Sequence, residues 1–406
     1  MKSAWFTLGG ALVLLACGES GNGDKPANTA GSSSGGAGTG TAGSTTSAGM
    51  TAGGNPSQSG GPSGGGSAGN ATAGSDSGGG GTGTGGGAAG TASGGTSAKG
   101  FECPAGASEV PKLTGLTPTR VMGVPPADAF NNMNNDFSNI EGDVWIGDAL
   151  YVSEISATLA TQGQPPPGRV LKITADDKVT ILLPDSGSNG LATNTAGDLI
   201  GAVHKDGSIS KLSLTGGAAV PLVSMFMGMR FDSPNDLTIH PNGTIYFSDP
   251  SWQAPNPAPQ AKTRAYRVPP GGQPEAIEPE VNLDQPNGMT LSKNYDFLYI
   301  AGNQLKKYPV MADGSLGAGT AFVQGGKGDG MVVDCGDNLY VATGANVTVY
   351  TPTAQVLGTF TVPGLQDITN VAFGGMDHKT LYVSGQGGKD AKGLFKIPMN
   401  VAGFPY

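Results

Sequence analysis

The feature that most constrains this 406-residue chain is a unit repeated six times after residue 140. Each copy opens on Asn, Asp or Glu, continues with a small residue or Asp and an apolar residue, turns, and ends in an apolar-aromatic run. The copies start at Glu141-Gly142-Asp143-Val144-Trp145, Asn189-Gly190-Leu191-Ala192, Asn235-Asp236-Leu237, Asn287-Gly288-Met289, Asp329-Gly330-Met331 and Asn370-Val371-Ala372-Phe373. Their second runs include Leu150-Tyr151-Val152-Ser153, Ile245-Tyr246-Phe247-Ser248-Asp249, Leu339-Tyr340-Val341-Ala342 and Leu381-Tyr382-Val383-Ser384. The leading residues lie 48, 46, 52, 42 and 41 positions apart. A period of about 40–50 residues with several short strands per unit is the mark of a β-propeller blade. Further strand-like runs fall between copies (Arg169–Ile173, Ser208–Leu212, Ala265–Val268, Val347–Tyr350), set off by turns such as Pro241-Asn242-Gly243. No long stretch shows a helical period of 3.6. The expectation is an all-β, six-bladed β-propeller over residues 100–406.

The sixth unit is short of a strand, because little follows Gly393–Ile397 before Tyr406. A segment ahead of Glu141, within Leu113–Gly123, is therefore expected to supply the outer strand and close the ring, which removes an exposed sheet edge.

In a propeller, equivalent positions of all blades face one axis. Glu141, Asn189, Asn235, Asn287, Asp329 and Asn370 should then converge at one end of the central channel. Carboxylates and amide carbonyls gathered without water are costly. Calcium, which takes 6–8 oxygen ligands, resolves that cost, and the lack of Cys among these positions favours it over softer metals. Taken singly, each Asn-Gly or Asp-Gly is an ordinary turn former; recurrence at one place in six units points to a ring instead.

The remainder of the chain reads differently. Met1-Lys2 followed by the uncharged, mostly apolar run Ala4–Ala16 has the form of a signal peptide, too short for a permanent span. Leu14-Leu15-Ala16-Cys17 resembles a bacterial lipobox, so residues 1–16 are read as a lipoprotein signal peptide and Cys17 as the lipidated first residue of the mature chain. Residues 17–99, almost all Gly, Ser, Thr and Ala after the cysteine, cannot offset the entropy of ordering and read as a disordered linker. Such a coil spans roughly 50 Å. The expected location is the bacterial cell envelope, at the outer membrane or a periplasmic face, with the lipid as the only membrane contact. In such an oxidising compartment Cys103 and Cys335 either pair or stay as two buried thiols; the sequence leaves both open. The formal charge of -9 belongs to the folded part, since Lys2, Lys25 and Lys99 cancel Glu19, Asp24 and Asp76. An acidic surface argues against nucleic acid as a partner, and a closed propeller with little free edge suggests a monomer.

The repeat motifs, together with Ser233-Pro234-Asn235-Asp236-Leu237, Gly243-Thr244-Ile245-Tyr246-Phe247-Ser248-Asp249-Pro250 and Thr369-Asn370-Val371-Ala372-Phe373-Gly374-Gly375, resemble the SMP-30/gluconolactonase family over about residues 137–400. That resemblance implies a six-bladed, metal-dependent hydrolase, a lactonase above all, acting on a small-molecule lactone or ester. It implies one catalytic divalent cation, Ca²⁺ or alternatively Zn²⁺ or Mn²⁺, held by Glu141, Asn235, Asn287 and Asp329. Asn189 and Asn370 would support the ring without ligating. Asp329 and His204 are the candidate catalytic residues, as bases or, for Asp329, as a nucleophile. The alternative is a non-catalytic cell-surface binding propeller with a structural Ca²⁺. Two departures from the family pattern stand out: Glu154 where Asp is common, and the Pro-rich segment Trp252–Lys262, read as a lid or rim. His240 and His378 are placed in outer turns without a role.

Overall fold

The computed structural model describes residues 102–105, 110–133, 136–277, 284–387 and 392–405. The leader, Cys17 and the linker lie outside them. Among the described residues there are six four-stranded antiparallel sheets. Five are sequential meanders, because short apolar runs joined by tight turns pair most readily with their neighbours. The first comprises Asn139–Ile146, Ala149–Ile155, Gly168–Thr174 and Val179–Leu183. The next four have the same order, their inner strands being Ser188–Thr193, Leu237–Ile239, Met289–Leu291 and Met331–Val333. Each inner strand packs on that of the following sheet, and the sixth, Leu365–Gly374, packs back on the first. The chain is a closed six-bladed propeller.

Blade six closes as the sequence requires. Thr119–Arg120 pairs antiparallel with Gly393–Pro398 and supplies the fourth strand. It lies inside the 113–123 window. The seam is short: two paired residues, extended by Val121 N–H donating to Leu394 O at 2.8 Å.

The core lies between blades. The second strand of blade one, Ala149–Ile155, is buried throughout, because sheet faces on both sides cover it. Between blades five and six, Val332, Tyr340, Val347, Val349, Ile368, Phe373, Leu381 and Val383 form one apolar cluster, and similar clusters fill the other interfaces. Burial of this kind contributes roughly 25 cal/mol per Å² of apolar surface, and the alternation of each strand gives both faces such surface to bury.

Cys103 and Cys335 are joined in a disulfide that spans 232 residues, their Cα atoms 5.5 Å apart. Cys335 follows the inner strand of blade five, at the end away from Asp329. The C-terminal segment docks at the same place, with Cys335 N–H donating to Ala402 O at 2.8 Å and Phe404 N–H to Val333 O at 3.0 Å. No helix among the described residues is long and apolar enough to cross a membrane.

Candidate functional site

The six leading residues of the repeat are all buried, between 2% and 8% exposed. Strand ends fix three of them: the amides of Asn235, Asn287 and Asp329 each donate at 2.9 Å, to the carbonyls of Ser248, Ala301 and Ala342. Their rule of sequence, polar residue then small residue, has a steric cause. A Cβ on Gly288 would lie 2.0 Å from the carbonyl oxygen of Asp329, and one on Gly142 would lie 2.2 Å from that of Asn189. Each blade thus brings the residue after its leader against the leader of the next. Gly190 N–H donates to Asn235 O at 2.5 Å, Gly330 N–H to Thr369 O at 2.9 Å, and Thr369 Oγ1 to Ile140 O at 2.7 Å. In blade three, Asp236 stands in place of glycine and its Oδ2 accepts from Met289 N–H at 2.8 Å. These contacts link all six leaders in order around the channel.

The ring is electrostatically loaded. The carboxyl of Glu141 sits well above its ordinary range, first because it is buried, then because Asp329, Asp143, Asp236 and Asp367 all repel its charge. None of these contributions comes from a Lys or Arg. Burial also raises Asp143 and Asp236 to about 7, and Asp367 to about 6. No group of three or more His, Cys, Asp or Glu side chains in ligating arrangement occurs among the described residues. The candidate set differs in kind, with two carboxylates and two amides. Mutually repelling buried carboxylates beside amide oxygens fit a hard divalent cation, which the protein's own cations do not replace.

Two cavities meet the ring. A cleft of about 500 Å³ is open to the outside and is lined by Asn287 and Asp329 of the ring and by Trp252, Gln285, Asn303, Lys327, Thr343 and Asp367. A smaller cavity of about 80 Å³ lies further along the channel, with Asp143, Asp236, Asn370, His378 and Phe404 in its lining. Glu141, Asn189 and Asn235 line neither. His378 lies in the turn between the first two strands of blade six and lines this inner cavity.

His204 follows the second strand of blade two, is fully buried, and does not line the cleft. Its Nε2 lies 2.8 Å from the carbonyl oxygen of Pro166, which can only accept, so Nε2 carries the proton and Nδ1 keeps the lone pair. Burial drops its pKa to about 4, so the ring is neutral at ordinary pH.

Two acids that positional reasoning did not single out as functional hold the segments leading into the ring. Asp249 accepts from Ser233 N–H at 2.7 Å and Asp232 N–H at 3.0 Å, just ahead of Asn235, and is raised to about 8 by burial. Glu154 occupies the equivalent place in blade one. It accepts from Ser138 N–H at 2.6 Å and from Arg169 Nε at 2.6 Å, and Arg169 also reaches Asp128 at 2.7 Å and stacks 4.4 Å over the Phe130 ring. The longer side chain of Glu154 spans from the strand to both partners. The sequence signal was the shared Tyr-Val-Ser-Glu and Tyr-Phe-Ser-Asp ending of these two strands. The Pro-rich segment forms part of the rim: Trp252 lines the cleft, Asn256 N–H donates to Gly163 O at 3.1 Å, and Gln260 N–H donates to Asp232 Oδ1 at 2.7 Å.

One consequence concerns pH. Asp143, Asp236 and Asp249 titrate near 7, 7 and 8 in the fold but near about 4 when unfolded. The native state therefore holds more protons across that interval, and unfolding free energy falls as pH rises through it. Cation-free protein is expected to melt lower at pH 7.5 than at pH 5 by calorimetry in chelator. Equal melting temperatures would contradict the burial of these carboxyls.

A family model described as the SMP-30/Gluconolactonase/LRE-like region matches residues 139–386. A gluconolactonase of Zymomonas mobilis is 26% identical over 313 residues, which cover 68% of this chain and 84% of that protein. A pentonolactonase of Haloferax volcanii is 31% identical over 170 residues, 39% of this chain and 55% of that one. Among solved structures, a gluconolactonase of Xanthomonas campestris superposes with a TM-score of 0.58 at 25% identity, covering 71% of this chain and 91% of its own.

Proposed function

Because the chain belongs to the SMP-30/Gluconolactonase/LRE-like family, we propose that it is a metal-dependent hydrolase that opens lactone rings. The observation that carries this reading is the repulsion between Glu141 and Asp329 within a ring whose Asp329 and Asn287 line an open cleft. Glu141, Asn235, Asn287 and Asp329 would hold the cation, Ca²⁺ in preference to Zn²⁺ or Mn²⁺. When bound, it supplies a Lewis acid toward the lactone carbonyl. Asp329 is the carboxylate of this set that also lines the cleft, which suits it to take a proton from attacking water. His204 is the second candidate base through its Nδ1 lone pair, and Pro166 fixes that tautomer; its burial puts it behind Asp329. Asn189 and Asn370 keep neighbouring blades in register.

The cleft weighs against a purely structural ion in a binding module, for which a plugged channel mouth would be expected. The mature chain is taken to begin at a lipidated Cys17 and to sit in the envelope as a tethered monomer.

The test is hydrolysis of glucono-δ-lactone and an acyl lactone, followed before and after exhaustive chelation and after Ca²⁺ is restored. Turnover that is lost on chelation and regained with Ca²⁺ is expected. Turnover unchanged by full chelation would exclude the metal, and no turnover of any lactone or ester would exclude hydrolysis.

A further inference from the structure

Blade six is built differently from blades three, four and five at the cleft. The inner strands of blades three, four and five begin two residues after their leaders, at Leu237, Met289 and Met331. That of blade six begins at Leu365, five residues before Asn370. It therefore stands above the ring on the side where the cleft opens. Its pairing with Thr380–Gly387 breaks register twice, between Leu365 and Asp367 and between Ile368 and Asn370. Irregularities of this kind turn a strand and re-aim the side chain between them. The two residues so flanked are Asp367 and Ile368.

Asp367 lines the cleft together with Gln285, Asn303, Lys327 and Thr343. Its backbone is held, since the next residue, Ile368, donates its N–H to Gly344 O of blade five at 2.7 Å. Its carboxylate, by contrast, has no hydrogen bond or ion pair among the described residues, whereas the buried Glu154 and Asp249, which hold the segments leading into the ring, each accept two hydrogen bonds. A half-exposed carboxylate on an ordered strand, without a partner, is an acceptor free to meet a donor on a ligand. The neighbouring Gln285, by comparison, is committed to the rim loop, its Oε1 accepting from Ser251 N–H and its Nε2 donating to Ser251 Oγ, both at 2.9 Å.

We propose that Asp367 is a specificity-determining residue whose carboxylate accepts hydrogen bonds from hydroxyl groups of a polyhydroxylated lactone seated over the ring. The proposal rests on the lactonase reading and adds to it which wall of the cleft distinguishes a hydroxylated from a bare ring. A site that hydrogen-bonds a substrate hydroxyl disfavours the analogue that lacks it, and removing a charged acceptor weakens only the substrate that used it.

The experiment measures kcat and KM of the unaltered protein, Asp367→Ala and Asp367→Asn on glucono-δ-lactone and on δ-valerolactone, with bound metal measured for each. For Asp367→Ala, kcat/KM on glucono-δ-lactone is expected to fall about 10- to 100-fold, mostly through KM. On δ-valerolactone it should change less than about 3-fold, and Asp367→Asn should recover part of the loss, with bound metal unchanged in both variants. Equal losses on both lactones, or loss of metal, would overturn the assignment while leaving the hydrolase reading in place. Failure of the unaltered protein to open either lactone would overturn both.

Discussion

Replacing Asp329 with Asn is expected to lower kcat/KM on a lactone by about a thousandfold or more, with the fold intact. The substitution keeps shape and removes one charge. That charge is the largest electrostatic contribution pushing Glu141 upward after burial itself. Without it Glu141 ionises more easily, so in chelator the variant should melt at or above the temperature of the unaltered protein. Activity and cation-free stability therefore move in opposite directions, the mark of a group kept for chemistry at a cost in repulsion. Bound metal, counted per chain, should fall well below one. Full metal content together with full turnover in Asp329→Asn would remove Asp329 from the site.

The second large effect concerns Cys103 and Cys335. Their bridge closes a loop of 232 residues, which takes in blades one to four and the start of blade five. Chain-entropy reasoning gives on the order of 5 kcal/mol for a loop of this length, against a total stability of about 5–15 kcal/mol for a typical domain. The bridge acts where the ring is thinnest. The segment it anchors runs on to Thr119–Arg120, the two-residue strand that completes blade six. Cys103→Ser with Cys335→Ser should shift the urea unfolding midpoint strongly downward and raise hydrogen exchange first along Gly393–Pro398. An unchanged midpoint would mean that the seam holds without the bridge.

Much of this was legible in the repeat. The six leaders fall around one channel because a polar residue followed by a small one is what close contact between inner strands demands, as Gly142 and Gly288 show. The missing outer strand fell inside the expected window because a short last blade must borrow one. What the sequence did not reveal depends on partners far away along the chain. Arg169 lies fifteen residues beyond Glu154, yet Asp128 and Phe130, which also engage it, precede that strand. The aim of Asp367 depends on two breaks in register, which leave no local signature. His204 is a candidate base by family resemblance, but no local pattern tells that its Nε2 meets Pro166 O, 38 residues away, or that it does not line the cleft. The pairing of Cys103 with Cys335 rests on the turn after Met331–Val333 meeting the start of the domain, which no local motif encodes.

The disulfide also has a mechanical meaning. Tension applied upstream of Cys103 passes directly into the turn after Met331–Val333. The two-residue strand that completes the ring lies downstream of that junction and is shielded from the pull. Peeling, the mode of loading to which a short antiparallel seam is weakest, is thereby avoided.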